Sequence, residues 1–324
     1  MLSMRRPLLA LACALAALVF GSQLATAQSW PQRPVKFILT LGGGSGTDIG
    51  MRMVADRLSK IWGHPVVIEN KPGGDAIVAI TSFLSANDDH VFLASPSSAF
   101  VHHPYVQQNL PYKLADLVPI ARGWNVLIVI AVPAALPVNS LKELVAMAKA
   151  QPGKLNWAGT TGAIDFTFAG FLKKNSLEMA RVPYRNPQDA ANDLATGRIE
   201  VAEASLATLR PQLQAGKIKL LATTASTRDP AYPDVPTVKE AGFPQLTLDG
   251  LVGLFGMPST PSELRERIAA DFKKAADDPT IKERLTATGQ TLNLGGPAEF
   301  TKAIDEQRAT VAAAAKDQGI AASQ

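Results

Sequence analysis

The chain has 324 residues, 47% hydrophobic and 19% charged, a globular balance that excludes intrinsic disorder and allows two ordinary domains or one large one. Its formal charge of +4 includes Arg5 and Arg6 near the N-terminus, and no basic block follows, so nucleic acid is excluded as a partner. The single cysteine, Cys13, falls in an N-terminal apolar run, which removes thiol catalysis, cysteine-ligated metal and disulfide stapling from the rest of the chain.

Arg5 and Arg6 precede that apolar run, residues 8–20, and Ala25, Thr26 and Ala27 supply small residues before Gln28. This is the pattern of a secretory leader, residues 1–27, cleaved after Ala27. The run is shorter than the roughly 20 residues of a membrane-spanning helix.

Beyond the leader the pattern is strand, turn, helix, repeated. Residues 35–41 are rich in β-formers, a glycine turn follows, and residues 49–61 carry apolar side chains at helical spacing through Met53, Val54, Leu58 and Ile61. "PVVIE" predicts a short strand, "NKPGGD" its turn, residues 76–84 a helix, and "VFLAS" a strand opening into "PSSAF". From "WNVLIVIAVP" a second series begins, with helices predicted over 140–150, 166–174 and 189–196 and strands at "KLNWAG", "MARVPY", "RIEVAEA" and "IKLLATT". A proline-dense connection leads to a further strand, "LTLDGLVGLFGMP", and then to helices predicted over 261–277, 279–288 and 297–316, each opening at or near a proline. The alternation predicts an α/β fold with largely parallel sheets, in which ligands bind beyond the carboxyl ends of the strands. The expected organisation is one lobe of residues 28–128 and 250–324 and a second of residues 129–249, with the chain crossing between them twice.

The stretch "LTLGGGSGTD" invites a phosphate-binding reading, but Gly42, Gly44 and Gly46 do not meet the G-x-G-x-x-G spacing, and no Walker lysine follows Gly46. A more general chemistry survives. Glycines admit close backbone approach, and free N–H groups at a helix N-terminus attract an anion such as a carboxylate. Asp48 is a candidate N-cap, and Ser45 or Thr47 offers a hydroxyl; a plain capped turn is the alternative. A second loop, "WAGTTGAIDF", again places glycines and hydroxyls between a strand and a helix. Two such loops facing across a cleft would grip an anion from both sides.

An exported hydrolase is the rival class, requiring a nucleophile, a base and an orienting acid. Of the four histidines, His64 sits in a "WGHP" turn and His90 starts a strand, and both read as structural. His102 and His103 are the strongest metal candidates, yet adjacent residues are expected to point different ways and no third ligand is spaced nearby. "GGSGT" does not meet G-x-S-x-G. No catalytic residue, metal or cofactor is therefore assigned. Trp157 and Phe166 flank the second loop as either core or pocket aromatics, and Phe166 and Phe168 facing the cleft would favour an aromatic or longer aliphatic carboxylate.

"WPQRPVKFIL", "VVIENKPGG", "LPYKLADLVPIA", "SLKELVAMAKAQPGKLNWA", "RVPYR", "LQAGKIKLLATT" and "YPDVPTVKEAGFP" occur in order along the chain. In these motifs it closely resembles the Bug-type solute-binding receptors of tripartite tricarboxylate transporters. The resemblance implies a type II, Venus-flytrap periplasmic binding protein that closes over a small carboxylate and presents it to membrane permease subunits. The chain is expected to act as a monomer, and a ligand-sensing role toward a signalling partner is the alternative on the same fold. By position, Gly43, Gly44, Ser45, Gly46, Thr47 and Asp48 would form the first-lobe anion seat. Ala158, Gly159, Thr160, Thr161, Gly162 and Asp165 would form its second-lobe counterpart. Ser97 and Ser98 fall near the pocket in the family, and the backbone of the segment from Arg185 to Ala190, which includes Asp189, would meet a distal ligand group. The departures are "GGGSG" in place of a proline-bearing turn, a second loop without its usual serines, and acids at Asp75 and Asp189. Extra acids would repel a second carboxylate or greet a hydroxyl or amine.

Overall fold

A computed structural model describes residues 30–159, 162–184 and 186–323. The leader with its cleavage after Ala27, and the site expectations for Thr160, Thr161 and Arg185, lie outside the described residues.

Two sheets, the first of six strands and the second of five, organise the described residues. The first contains β1 (Val35–Leu39), β2 (Val66–Asn70), β3 (Val91–Pro96), β4 (Val118–Val126), β10 (Gly250–Gly256) and β11 (Gln290–Gly295), in the order β11-β4-β10-β3-β1-β2. The second contains β5 (Ile128–Pro133), β6 (Leu155–Gly159), β7 (Met179–Arg181), β8 (Val201–Ser205) and β9 (Ile218–Thr223), in the order β7-β6-β8-β5-β9. In β1 the sequence VKFIL buries Val35, Phe37 and Leu39 on one face, against Met51, Val54 and Leu58 of helix α1 (Gly46–Trp62). Ile38 faces the other way, toward Ile80 and Phe83 of α2 (Ile77–Ala86). Burial on both faces is what a covered parallel strand requires, and β1 pairs in parallel with β2 and β3.

Neither sheet is largely parallel, contrary to the expectation from the alternating pattern. β10 runs antiparallel to β3 and β4, and β5 runs antiparallel to β8 and β9. The cause is topological: the strands that carry the chain from one sheet to the other enter against the direction of their neighbours. Several elements went unread in the sequence, among them β4, most of whose residues precede the strand expected at "WNVLIVIAVP", and two others. Helix α7 (Leu206–Gln214) contains Pro211, which argues against a helix locally, and β11 carries a weak apolar pattern.

The two sheets meet at a narrow set of crossings. Leu127 alone separates β4 from β5; its N–H donates to Gly289 O at 3.2 Å and its carbonyl accepts from the Leu206 N–H at 2.8 Å. On the return path Thr224 donates from its N–H to Ile128 O at 3.1 Å and from its hydroxyl to Leu248 O at 2.9 Å. The crossing segments are thus hydrogen-bonded to one another. A helix also spans the lobes. α10 (Pro297–Gln318) packs against α5 (Ala163–Lys174), where a Cβ on Gly170 would stand 2.9 Å from Ala314 O. Its end is tied down by a Gln318 Nε2 bond to Phe166 O at 3.1 Å and a Lys174–Asp317 ion pair at 3.1 Å. Among the described residues no helix is long and apolar enough to cross a membrane.

Candidate functional site

The first glycine loop joins β1 to α1 at the carboxyl end of the strand, where open α/β sheets bind ligands. Its N-cap is Ser45, not Asp48: the Ser45 hydroxyl accepts the Asp48 N–H at 3.2 Å, and Asp48 lies in the first turn. The Asp48 side chain is occupied in shaping the loop. Its Oδ2 accepts the Gly44 N–H at 2.9 Å and Arg52 Nε at 3.1 Å, and its Oδ1 accepts Asn70 Nδ2 at 2.9 Å. Burial alone would raise this carboxyl, but the bonds from Arg52, Gly44 and Asn70 win and hold it below the ordinary carboxylate range. Gly43 and Gly44 remain exposed. Gly46 and Thr47 stand in the first turn, where N–H groups have no intrahelical acceptor. Asn70, Arg52 and Gln290 were not foreseen as parts of this loop. A signal for Asn70 was available, since it is a polar residue at the carboxyl end of the adjacent strand, whereas Gln290 reaches Gly46 from the far end of the chain.

The turn after β3 places Ser97 and Ser98 differently from one another. Ser97 is fully buried, and its hydroxyl donates to Gln307 Oε1 of α10, with Leu251 O at 3.4 Å. Ser98 presents its carbonyl to the second lobe, where a Cβ on Gly162 would lie 2.7 Å from Ser98 O. This contact sets the turn after β3 against Gly162 of the second lobe.

On the second-lobe side, Ala158 and Gly159 end β6, and Gly162 opens α5 at φ 89°. Ala158 and Gly159 line a cavity of about 90 Å³ together with Tyr184, Pro187, Ala190 and Glu203. The end of β6 and the start of α6 (Pro187–Thr196) thus line the same cavity. Asp189 is exposed on that helix start, its N–H donating to Asn186 O at 3.1 Å. Asp165, in the first turn of α5, accepts Arg181 Nε at 2.8 and 3.0 Å. Burial raises the Asp165 carboxyl above its usual value, and the Arg181 bond only partly opposes this. Glu203 is 1% exposed; burial, and then the charge of Asp165, push its carboxyl well above the ordinary range and toward the neutral form. A wider surface groove of about 730 Å³ runs between α8 (Ser262–Ala276) and α10, with Arg265 and Lys302 on its walls, and holds none of these residues.

The aromatics divide. Trp157 is buried against Phe168, ring centroids 4.9 Å apart, in the core of the second sheet, so both are packing residues. Phe166 instead faces the first lobe, stacked 5.9 Å from Tyr105 and 6.3 Å from His102. The expectation that His102 and His103 diverge is corrected. They sit in a helical turn, His102 with φ −92° and ψ −12°, where successive side chains differ by about 100° rather than pointing to opposite faces as in a strand. Asp75, from a loop 27 residues earlier, meets His102 at 2.9 Å.

Over residues 51–320 the chain matches the Tripartite tricarboxylate transporter family receptor, TctC. A UPF0065 protein of Cupriavidus necator is 30% identical over 279 residues, covering 85% of this chain and 85% of that one. Among solved structures, a periplasmic transporter superposes with a TM-score of 0.77 at 29% identity, covering 90% of this chain and 99% of the other. R. palustris Rpa4515 with adipate superposes with a TM-score of 0.76 at 25% identity, over 90% and 99% of the two chains. A match over most of the chain, on a fold of two sheets joined through Leu127 and Thr224, makes this protein a member of the tripartite tricarboxylate transporter receptor family, of the Bug type.

Proposed function

We propose that the protein is a periplasmic receptor that captures a small carboxylate between its two lobes and delivers it to the permease of a tripartite tricarboxylate transporter. The lobes are residues 28–128 with 250–324, and residues 129–249. The observation that carries this reading is the close approach of Gly162 to Ser98 O, which sets the helix start beyond β6 against the loop of the opposite sheet. Helix N-termini supply N–H donors and a favourable dipole for an anion, so no arginine clamp is required. Gly43 through Thr47 are the first-lobe donors in this reading, and Ala158 through Gly162 the second. The Ser97 hydroxyl and the Asp48 carboxylate are supports for the loops rather than ligand contacts, because both are already hydrogen-bonded internally.

The cavity walls and a relative's ligand support one ligand class. A cavity of about 90 Å³ lined by Ala158, Ala190 and Pro187 admits one carboxylate or an aliphatic segment. Linear aliphatic dicarboxylates are the preferred class, in keeping with the adipate of the Rhodopseudomonas relative. A thermal-shift screen of mono-, di- and tricarboxylates on chelator-washed protein tests this. A cognate ligand at a hundredfold excess over its Kd stabilises by about 2.7 kcal/mol. If no carboxylate shifts the transition while an amine or a neutral solute does, the reading fails.

A further inference from the structure

Three side chains that the carboxylate reading does not use are brought together on the first lobe. Asp75 lies in a turn whose residues Gly73, Gly74, Asp75 and Ala76 have φ of 117°, 56°, 53° and 70°. That conformation aims Asp75 Oδ2 at both imidazoles, 2.9 Å from His102 Nε2 and 3.4 Å from His103 Nε2. One ligand atom from each residue lies within 4.8 Å of the others. A tetrahedral ion with bonds of about 2.0–2.1 Å spaces its ligands roughly 3.3 Å apart, so the cluster has the span of a metal site.

The surroundings point the same way. His103 is fully buried, and its Nε2, directed at Asp75, has no hydrogen-bond partner; His102 Nδ1 is also buried without one. The unpartnered His103 Nε2, the atom aimed at Asp75, is costly unless something else binds there. His103 Nδ1 lies 2.6 Å from Tyr112 Oη, the kind of outer contact that orients a ligating imidazole. Among the described residues, the ion-pair partners of Asp75 are those two histidines. Asp88, Asp89 and His90 offer a similar spacing, but there the charge is already met. Arg33 binds Asp88 at 2.6 Å, and His90 Nε2 accepts the Gln32 N–H at 3.2 Å.

We propose that Asp75, His102 and His103 bind one divalent transition-metal ion through a carboxylate oxygen and two Nε2 atoms, with Tyr112 positioning His103. Two imidazoles and one carboxylate suit ions of the zinc, cobalt and nickel class rather than calcium or magnesium, which require oxygen cages. The Asp75 side chain, 30% exposed, leaves an approach for the ion. Phe166 of α5 stands beside His102, so the ion sits where the second lobe rests on the first.

Untagged, chelator-stripped protein titrated with cobalt and then zinc, in carboxylate-free buffer, tests the site. One cobalt per chain is expected, with the visible ligand-field absorption of a low-coordinate ion, bleached as zinc displaces it. Asp75→Asn, His102→Gln and His103→Gln are each expected to weaken binding at least about 100-fold, beyond the effect typical of outer contacts, and Tyr112→Phe about tenfold. His90→Gln is expected to leave it unchanged. Should a variant fail to fold, long-range proton–nitrogen spectra of the wild type decide, since zinc must shift the ring nitrogens of two of the four histidines. The absence of stoichiometric binding, or shifts at His64 or His90 instead, overturns the site. The carboxylate screen uses metal-free protein, so either result leaves the other reading intact.

Discussion

Glu203 shows how a single buried group sets a property of the folded state. Burial on β8, and then the charge of Asp165, raise its carboxyl, so its folded pKa lies above the roughly 4.3 of an unfolded chain. Between those two values the native state holds a proton that the unfolded state has released. Stability is therefore fully present below the unfolded pKa and is lost as pH rises toward the folded one. Glu203→Gln removes that loss. The stability gap between variant and wild type should be near its minimum at about pH 4 and widen by about 1.4 kcal/mol per pH unit within the window. Urea unfolding at several pH values measures it, and a gap constant from acid to neutral pH would show that Glu203 does not titrate this way. No local feature of "RIEVAEA" distinguishes Glu203 from an exposed strand glutamate. Its burial comes from α5 and α6 closing over the sheet. Asp48 is the opposite case, because its place after "GGGSGT" already marked a helix start, and only its position within the cap was misread by one turn.

At the level of elements, the contact of α5 with α10 stands out because it joins segments more than a hundred residues apart. Gly170 permits it: the backbone of Ala314 occupies the space that any side chain at position 170 would need. Gly170→Val should cost about 1–3 kcal/mol of stability, the usual range for forced overpacking, read by chemical denaturation. A variant as stable as the wild type would mean that the two helices separate at no cost. The helices themselves were legible. The apolar spacing and prolines near residues 261, 279 and 297 gave three C-terminal helices whose observed bounds, Ser262–Ala276, Pro279–Ala287 and Pro297–Gln318, differ by at most two residues. α7 was not legible, because Pro211 and a mixed pattern weigh against a helix until β8 and α6 supply something to pack on.

For the whole molecule, the proposed capture requires a hinge between two lobes, which are joined by short hydrogen-bonded crossings and touch at Gly162 and Ser98. A ligand contacting both lobes shifts the population toward a closed form only if it binds that form better. Solution scattering with and without a tight carboxylate should show compaction. In Gly162→Ala the added carbon meets Ser98 O and forces φ 89° on a non-glycine residue, so affinity should fall at least about tenfold and compaction should shrink with it. Tight binding with unchanged compaction in that variant would remove the interlobe contact from the closing step.

By itself the sequence determined the class of this protein: the periodicities of its helices and strands, the glycine loops after β1 and β6, and the ordered motifs of the family. These are local or linear signals, carried by residue type and spacing. Only the tertiary structure decided strand direction, the internal use of Ser97 and Asp48, the packing role of Trp157 and the meeting of Asp75 with His102 and His103. Each of these depends on distance in space between residues far apart in the chain. Asp75 and the two histidines meet only because the strained turn before α2 and the helical turn after β3 come together beyond the carboxyl ends of β2 and β3, and no spacing rule along the chain records that.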